Sequence, residues 1–323
     1  MMLNRSKMTS VSCKMMIETI AMTSAVLLLA TAVGCSTFST MTTATSKVTV
    51  DSSSGDGHMR RTIGMASIGY RTSPVGQSLE ALLKDRLIAG IASDCPGNIL
   101  ITADDAGYAK LLESPPRHAS GEINNYALSQ EGRLLGLNAI VAGSPVDVSE
   151  EVEERGLLWF KDTHTYARIR LAIDVYDTST GAKLFGENSI RKIEVDPAGI
   201  NDIKGKRYQR IAGLKEEIAD AADEISETIC QRVSLQPWKG YVASVDGNQI
   251  GLSAGSEIGL RTGDRLSVYD SEKTIAGIDG QRFYLPGQII GEIRITATAR
   301  RHASAVIVSG KGIAPGNPVV LKK

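Results

Sequence analysis

The chain has 323 residues, with 36 basic and 36 acidic side chains and therefore a formal net charge of zero. This balance argues against a nucleic-acid partner, because proteins that bind nucleic acids are usually basic. Hydrophobic residues make up 42% of the chain and charged residues 22%. These fractions are those of an ordinary globular protein, and the length accommodates two domains.

Residues 1–34 have the layout of a secretory signal peptide. Arg5, Lys7 and Lys14 supply positive charge, and an uncharged, mostly apolar run follows from Ile20 to Val33. A membrane-spanning helix needs about 20 apolar residues, so this run is too short to be one. A charged start, a short apolar middle and a small-residue end predict a leader that directs export.

The segment Ala32-Val33-Gly34-Cys35 ends the leader and resembles a bacterial lipobox, whose cysteine becomes the lipidated first residue. The resemblance implies lipid attachment at Cys35 and membrane lipid as a partner. Several acyl chains on one cysteine anchor a protein stably, whereas one chain binds only marginally. Ser36 is similar to an outer-membrane sorting signal, which implies the periplasmic side of the outer membrane. Ala32 stands where a lipobox usually has Leu, so ordinary cleavage without lipid remains the alternative.

Residues 35–60 are predicted to be a flexible tether. The stretch from Thr37 to Gly57 is rich in Ser, Thr and Gly and poor in large apolar side chains. Such a segment cannot bury enough apolar surface to offset the entropy lost on ordering.

Residues 61–234 form the first predicted domain, in which strands and helices alternate. Period-two alternation predicts the strands, and apolar spacings of three and four predict the helices. The acidic run Ser149–Glu154 is predicted to be a solvated loop or a strand edge. The predicted strands are Thr62–Tyr70, Asn98–Ile101, Asn138–Val146, Arg168–Tyr176 and Ala182–Val195. The predicted helices are Ser73–Ser93, Thr102–Leu112, Glu122–Leu135 and Tyr208–Val233.

This order of elements resembles the CsgG-like or TolB-N-terminal-like α/β domain of bacterial envelope proteins. The likeness is carried by the segment Leu134-Leu-Gly-Leu-Asn-Ala-Ile-Val-Ala-Gly143 and by Asp174-Val-Tyr-Asp-x-x-x-Gly181, a strand and its turn. The resemblance implies an α+β fold of the anticodon-binding or TolB-N type. It also implies partners among other envelope proteins and leaves room for a homo-oligomer.

Residues 235–323 are predicted to form a small SH3-like β-barrel. Pro237 marks the boundary, because proline disfavours a continuing helix. Short β-rich runs separated by turn residues are typical of small barrels and sandwiches. The predicted strands are Lys239–Val245, Gln249–Leu252, Arg265–Tyr269, Ile289–Ala297, Ala303–Val308 and Val319–Lys322.

An internal repeat supports the barrel. Gly259-Leu-Arg-Thr-Gly263-Asp264 matches Gly312-Ile-Ala-Pro-Gly316-Asn317, and an alternating strand follows each segment. Glycine permits positive φ, and Asp or Asn bonds nearby amides, so the two segments are predicted to be equivalent corners. The glycine spacing of this region, with Gly287 and Gly291, resembles the C-terminal domain of the flagellar assembly protein T family. That resemblance implies a role in a flagellar-motor assembly.

Two cysteines, Cys95 and Cys230, remain outside the leader and the lipobox. In an oxidising periplasm they could form a disulfide, which would close a long loop. Two buried free thiols are the alternative.

The sequence shows no catalytic, cofactor-binding or metal-binding pattern. None of the four histidines has a second ligand at metal-binding spacing, and no nucleotide-binding or hydrolase motif is present. Asp104-Asp105 is explained by capping at a helix start. A basic cluster could face anionic lipid or an acidic partner, although a solvated surface is the plainer interpretation. It consists of Lys204, Lys206, Arg207 and Arg210.

The charged insert Asp147–Thr163 argues against a pore. Its only apolar stretch runs from Gly156 to Phe160, whereas a spanning strand needs about 9–11 residues with an apolar face. The favoured hypothesis is therefore a non-enzymatic lipoprotein that serves as a protein-interaction scaffold in an envelope assembly. A CsgG-like subunit of a secretion machine and a periplasmic ligand-binding protein are the alternatives.

Overall fold

The computed structural model describes residues 59–69, 77–157 and 159–322. The predicted leader, Cys35 and most of the predicted tether lie outside the described residues. Met59 and Arg60, the end of that tether, are packed against the barrel: Met59 is 2% exposed, and the Arg60 amide donates to the Ile258 carbonyl over 2.9 Å. The prediction of a flexible segment was wrong for these two residues.

A six-stranded mixed sheet organises the N-terminal part. β1 lies parallel between β2 and β3. The long strand β5 pairs antiparallel with β3 and β4 along one side and with β6 along the other. The strands are β1 Thr62–Ile68, β2 Ile99–Ile101, β3 Ala139–Gly143, β4 Asp147–Leu157, β5 Phe160–Asp177 and β6 Lys183–Glu194. The acidic run lies on β4 at the sheet edge, which agrees with the strand-edge alternative.

Two long helices cover one face of this sheet, and two shorter helices lie toward the other. The apolar stripes of α1 and α5 pack against each other and against β1 and β5, forming the first hydrophobic core. The helices are α1 Gln77–Asp94, α2 Ala109–Glu113, α3 Asn125–Leu134, α4 Pro197–Lys204 and α5 Leu214–Ser234. The predicted helix start at Ser73 lies outside the described residues.

The predicted helix Tyr208–Val233 begins too early, and α4 was missed. Gly213 has φ = +77°, a left-handed conformation that a right-handed helix cannot contain, so α5 starts after it. Upstream, the Asp196 carboxylate accepts a hydrogen bond from the Gly199 amide over 2.8 Å and caps α4. Pro197 occupies the first turn, where it needs no donor.

Helices α2 and α3 are also shorter than predicted. The Asp105 carboxylate accepts from the Thr102 amide over 2.9 Å in a turn, not at a helix start. Gly107 has φ = +91°, so α2 begins only beyond it. Asn124 caps α3 by accepting from the Ala127 amide over 3.0 Å, which places the start of α3 after the predicted Glu122.

The C-terminal part is a closed barrel of six strands. The barrel strands are β7 Gly240–Asp246, β8 Gln249–Leu252, β9 Arg265–Tyr269, β12 Ile289–Thr298, β13 Ala303–Gly310 and β14 Pro318–Leu321. Each overlaps one of the six strands predicted for this part. A small hairpin, β10 Thr274–Ala276 and β11 Arg282–Tyr284, was not predicted.

The two predicted barrel corners have the same turn chemistry. The Asp264 carboxylate accepts from the Arg261 amide over 2.8 Å, and the Asn317 side chain accepts from the Ala314 amide over 2.7 Å. Gly263 has φ = +96° and Gly316 φ = +89°. The strands that follow, β9 and β14, are paired neighbours in the barrel.

A second hydrophobic core joins the sheet to the barrel. It combines Ile140 and Tyr176 of the sheet with Trp238 and Val242 of the barrel part. The Asn138 side chain adds a polar link, because it accepts from the Thr62 amide over 3.0 Å and donates to the Lys239 carbonyl over 2.6 Å. None of the helices in the described part of the chain is long and apolar enough to cross a membrane.

Candidate functional site

A polar cleft of about 580 Å³ lies between the sheet and the β10–β11 hairpin. Its floor is the face of β3, β5 and β6 opposite the long helices, and its walls are the loop before α3 and the turn of the hairpin. Small-molecule pockets usually enclose about 300–1,000 Å³ and often form where two parts of a fold meet. The cleft therefore has the size and position of a binding site.

The loop before α3 contributes Arg117 and His118 to the cleft. The Arg117 guanidinium donates to the Gly121 carbonyl over 2.8 Å and to the Gly143 carbonyl over 3.4 Å, which fixes the loop to the end of β3. The buried His118 Nε2 has no hydrogen-bond partner within the described ranges. Gly280 lies against this imidazole, since a Cβ built there would be 3.5 Å from its Cε1.

The floor contributes a charged pair beside a tyrosine. Lys183 Nζ lies 2.8 Å from an Asp174 carboxylate oxygen, and the Tyr176 hydroxyl donates to the same carboxylate over 3.3 Å. Burial raises the pKa of Tyr176, and the nearby Asp174 charge raises it further. The phenol therefore stays protonated and acts as a donor at neutral pH.

Asn125 attaches the β10–β11 hairpin to the α/β part. Its amide nitrogen donates to the Gly181 carbonyl over 2.9 Å and to the Arg282 carbonyl over 2.8 Å, and its oxygen accepts from the Arg282 amide over 3.2 Å. Tyr126 stacks on Tyr284 with ring centroids 5.0 Å apart. The wall of the cleft is therefore anchored at its base.

Arg133 on α3 occupies the junction behind the cleft and is 3% exposed. Its guanidinium donates to the Thr178 carbonyl over 2.9 Å and to the Ser179 carbonyl, and lies 3.5 Å from the ring centroid of Tyr284. Burial lowers the pKa of Arg133, although an arginine remains charged. Burial also raises the pKa of Tyr284 to about 12, so this ring is neutral against the cation.

The cleft can bind a polar ligand that carries both positive and negative groups. Arg117 and Lys183 are its basic side chains, and Glu122, Asp174 and Asp279 its acidic ones. These charges are engaged in part with one another or with backbone carbonyls. In the described part of the chain, no group of three or more His, Cys, Asp or Glu could hold a metal ion.

Two exposed apolar side chains occupy turns at the ends of hairpins. Trp159, between β4 and β5, is 82% exposed, and Ile278, between β10 and β11, is 79% exposed. Ile275 on β10 is also exposed. Large apolar side chains at such positions gain free energy when a partner covers them.

Of the described cysteines and histidines, only His118 lines the cleft. Cys35 and His58 are outside the described residues. Cys95, after α1, is joined to Cys230 on α5, with Cα atoms 5.5 Å apart. His118 lines the cleft, His164 Nδ1 lies 2.7 Å from a Glu194 oxygen, and His302 is on the barrel surface.

The predicted roles of the charged clusters change in part. Asp105, expected to cap a helix, instead pairs with Arg301 of the barrel over 2.8 Å. In the basic cluster, Lys204 lies 3.3 Å from Glu150 and Arg207 lies 2.7 Å from Asp202, which agrees with a solvated surface.

Sequence reasoning missed Arg117, Arg133, Asn125 and the β10–β11 hairpin. The hairpin had a signal: Gly277-Ile-Asp-Gly280 separates two short β-prone runs. The polar side chains had none, because all their partners except the Gly121 carbonyl lie far away along the chain.

No protein-family model and no curated protein matches the chain. Solved structures that align with it include a minor lipoprotein from Acinetobacter baumannii, at 14% identity and a TM-score of 0.29, covering 53% of this chain and 93% of that one. They also include the hypothetical protein CT253 from Chlamydia trachomatis, at 16% identity and a TM-score of 0.31, covering 55% of this chain and 99% of that one. A PelC dodecamer from Paraburkholderia phytofirmans aligns at 12% identity and a TM-score of 0.26, covering 52% of this chain and 86% of that one. The neighbours thus include bacterial lipoproteins, at TM-scores too low to define a common fold.

Proposed function

We propose that the chain is a non-enzymatic lipoprotein of the cell envelope, anchored through Cys35 on the periplasmic side of the outer membrane. In this proposal it serves as a protein-interaction scaffold, and the α/β part and the barrel act together as one unit to which partners bind. The leader and the lipobox-like Cys35 support the location.

The observation that carries the scaffold proposal is the pair of exposed apolar hairpin turns. Trp159 and Ile278 stand on hairpins whose bases are fixed, by strand pairing with β5 in one case and by Asn125 in the other. A rigid base reduces the conformational entropy lost when such a side chain is buried by a partner.

Site-specific photocrosslinking in living cells tests this proposal. A photoreactive residue at position 159 or 278 should form crosslinks with discrete envelope proteins. The matched control is position 248, in the polar turn between β7 and β8. Equal or absent crosslinking at all three positions would contradict docking through the apolar turns.

The lipid anchor is tested separately. Cys35→Ala should lose the acyl mass in mass spectrometry and move from the membrane fraction to the soluble fraction. A variant with unchanged mass and location would rule out the anchor but leave the docking test valid.

The cleft favours a second candidate, a periplasmic ligand-binding protein. Its size and its mixed charges suit a small zwitterionic ligand. Native mass spectrometry of protein isolated from envelopes should then show a bound small molecule that is lost in Lys183→Met. A flagellar-motor component, implied by the flagellar resemblance, is a narrower form of the scaffold proposal, whereas a CsgG-like subunit of a secretion machine is an alternative to it. Identifying the crosslinked proteins would distinguish them.

A further inference from the structure

β6 is a long edge strand. It has 12 residues and, in the described part of the chain, pairs only with β5. The Val195 amide donates to the Thr165 carbonyl, and hydrogen-bonded residues alternate along an antiparallel ladder. From Phe185 to Ile193, where the register with β5 is continuous, the odd-numbered residues of β6 therefore bond to β5. The even-numbered ones, such as Asn188 and Ile190, direct their amides and carbonyls outward.

From Phe185 onward, beyond an irregularity in the pairing with β5, the outward side of β6 lacks the usual protection of a sheet edge. Edges are commonly shortened, interrupted by proline or covered with lysine, but β6 contains no proline, and Ile190 at its middle is 47% exposed. Lys192 does not cover this edge, because its ammonium pairs across β5 with Glu151 and Glu153. The distance to the Glu153 carboxylate is 2.7 Å.

The sequence of β6 is complementary to itself when two copies run antiparallel about an axis at Ser189. In that register Glu187 lies opposite Arg191 of the second copy, and Phe185 lies opposite Ile193, with both pairs repeated by symmetry. An axis at residue 187, 191 or 192 would instead place like charges opposite each other. An axis at 188 or 190 would oppose Arg191 to an uncharged residue.

The two charged residues of this register have unused bonding capacity. Arg191 donates to Glu224 on α5 through one terminal nitrogen, but its buried Nε has no acceptor within the described ranges. Glu187 is partly buried and forms no ion pair among the described residues. A carboxylate from a second copy would supply the missing acceptor, which is a larger gain than a pair between two solvated groups.

We propose that two copies of this chain associate by antiparallel pairing of their β6 strands about Ser189, which joins their sheets into one. The pairing goes beyond the scaffold proposal and does not require the lipid anchor. It assigns the β6 edge to a second copy and leaves the hairpin turns and the cleft free for other partners.

Cysteine crosslinking tests the register on the full-length chain in mild detergent. Ser189 would face its own copy as a non-hydrogen-bonded pair, with Cα atoms about 4.5 Å apart, a distance that a disulfide can span. Ser189→Cys should therefore give a disulfide-linked dimer under mild oxidation, well above the wild-type background. Glu187→Cys and Arg191→Cys should not crosslink alone but should crosslink when mixed. Crosslinking of either alone, or none with Ser189→Cys, would overturn this register.

Two proline substitutions, one on each edge strand, test whether the β6 edge forms the dimer contact. Ile190→Pro removes an outward amide without removing a bond to β5, and proline is tolerated at such positions. Val152→Pro is the matched control, because Val152 is 55% exposed on β4, the edge strand on the other side of β5, and its amide also points outward. Analytical ultracentrifugation should show that Ile190→Pro raises the dimer dissociation constant by more than about tenfold, while Val152→Pro leaves it unchanged.

Several outcomes would refute the proposal. A wild-type chain that is monomeric throughout the micromolar range would exclude the dimer. An equal effect of Ile190→Pro and Val152→Pro would indicate that β6 of one copy pairs with β4 of the other, not with β6. Circular dichroism of each variant separates lost pairing from lost folding.

Discussion

At the scale of single residues, Arg133 shows how one cation can fix two parts of a chain. It satisfies two buried carbonyls of the turn after β5 and stacks on Tyr284 beside the barrel. A lysine would not replace it, because only the planar guanidinium can bond two carbonyls and stack on a ring at once.

Replacing Arg133 should therefore be costly. Arg133→Met fills a similar volume but leaves the Thr178 and Ser179 carbonyls unpaired, at about 1–3 kcal/mol for each buried group. We expect a loss of about 3 kcal/mol, measured by urea unfolding. Arg86→Met, at an exposed position on α1, should change the stability by less than about 0.5 kcal/mol. Equal effects would show that the junction does not depend on Arg133.

Glu80 should make stability depend on pH. It lies in the first turn of α1 and is 6% exposed, and burial raises its pKa despite a hydrogen bond from the Val146 amide. Because the pKa of Glu80 is higher in the folded than in the unfolded protein, folding favours the protonated side chain. The resulting stabilisation is fully present below the pKa of the unfolded state and is lost as the pH rises through the pKa of the folded state.

Glu80→Gln keeps an acceptor for the Val146 amide and removes the free-energy cost of burying a charged carboxylate at neutral pH. The variant should be more stable than the wild type at pH 7, with a difference that shrinks toward pH 4, measured by thermal unfolding across this range. Glu216→Gln, an exposed residue in the first turn of α5, provides the control. A difference that is constant with pH would contradict the assignment to Glu80.

At the scale of elements, the bond between Cys95 and Cys230 connects the end of α1 to α5 across a separation of 135 residues. In the chain-entropy model, a loop of this length is worth about 4–5 kcal/mol. Replacing both cysteines by alanine should therefore lower the unfolding temperature by several degrees.

A tryptic digest of unreduced protein should contain the two cysteine peptides joined. Recovery of separate peptides would favour the free-thiol alternative.

The elements that could be predicted are those whose signal is local. All six barrel strands follow from alternation between turn residues, and the two corners follow from glycine followed by Asp or Asn. The start of α5 could not be located this way, because apolar spacing continues through Gly213, whereas the backbone is non-helical there: Ile211 is extended, with ψ = 116°, and Gly213 has a positive φ. The sequence periodicity does not record backbone conformation.

The cleft could not be predicted at all. Arg117, Asp174 and Gln281 meet there from distant parts of the chain. Each of them taken alone is an ordinary surface residue in the sequence. Only the packing of the barrel against the sheet places them around one space.

At the scale of the whole molecule, the core shared by the sheet and the barrel has a consequence for dissecting the protein. Cutting the chain at the boundary near residue 235 would expose Ile140 and Tyr176 on one fragment and Trp238 and Val242 on the other. The first core and the closed barrel would stay whole, but each fragment would expose the apolar face that the shared core now covers, so each should be recovered from cells mainly in inclusion bodies. Partial deletions would then give the phenotype of complete loss, and the roles of the two parts are better separated by point substitutions on their outer surfaces.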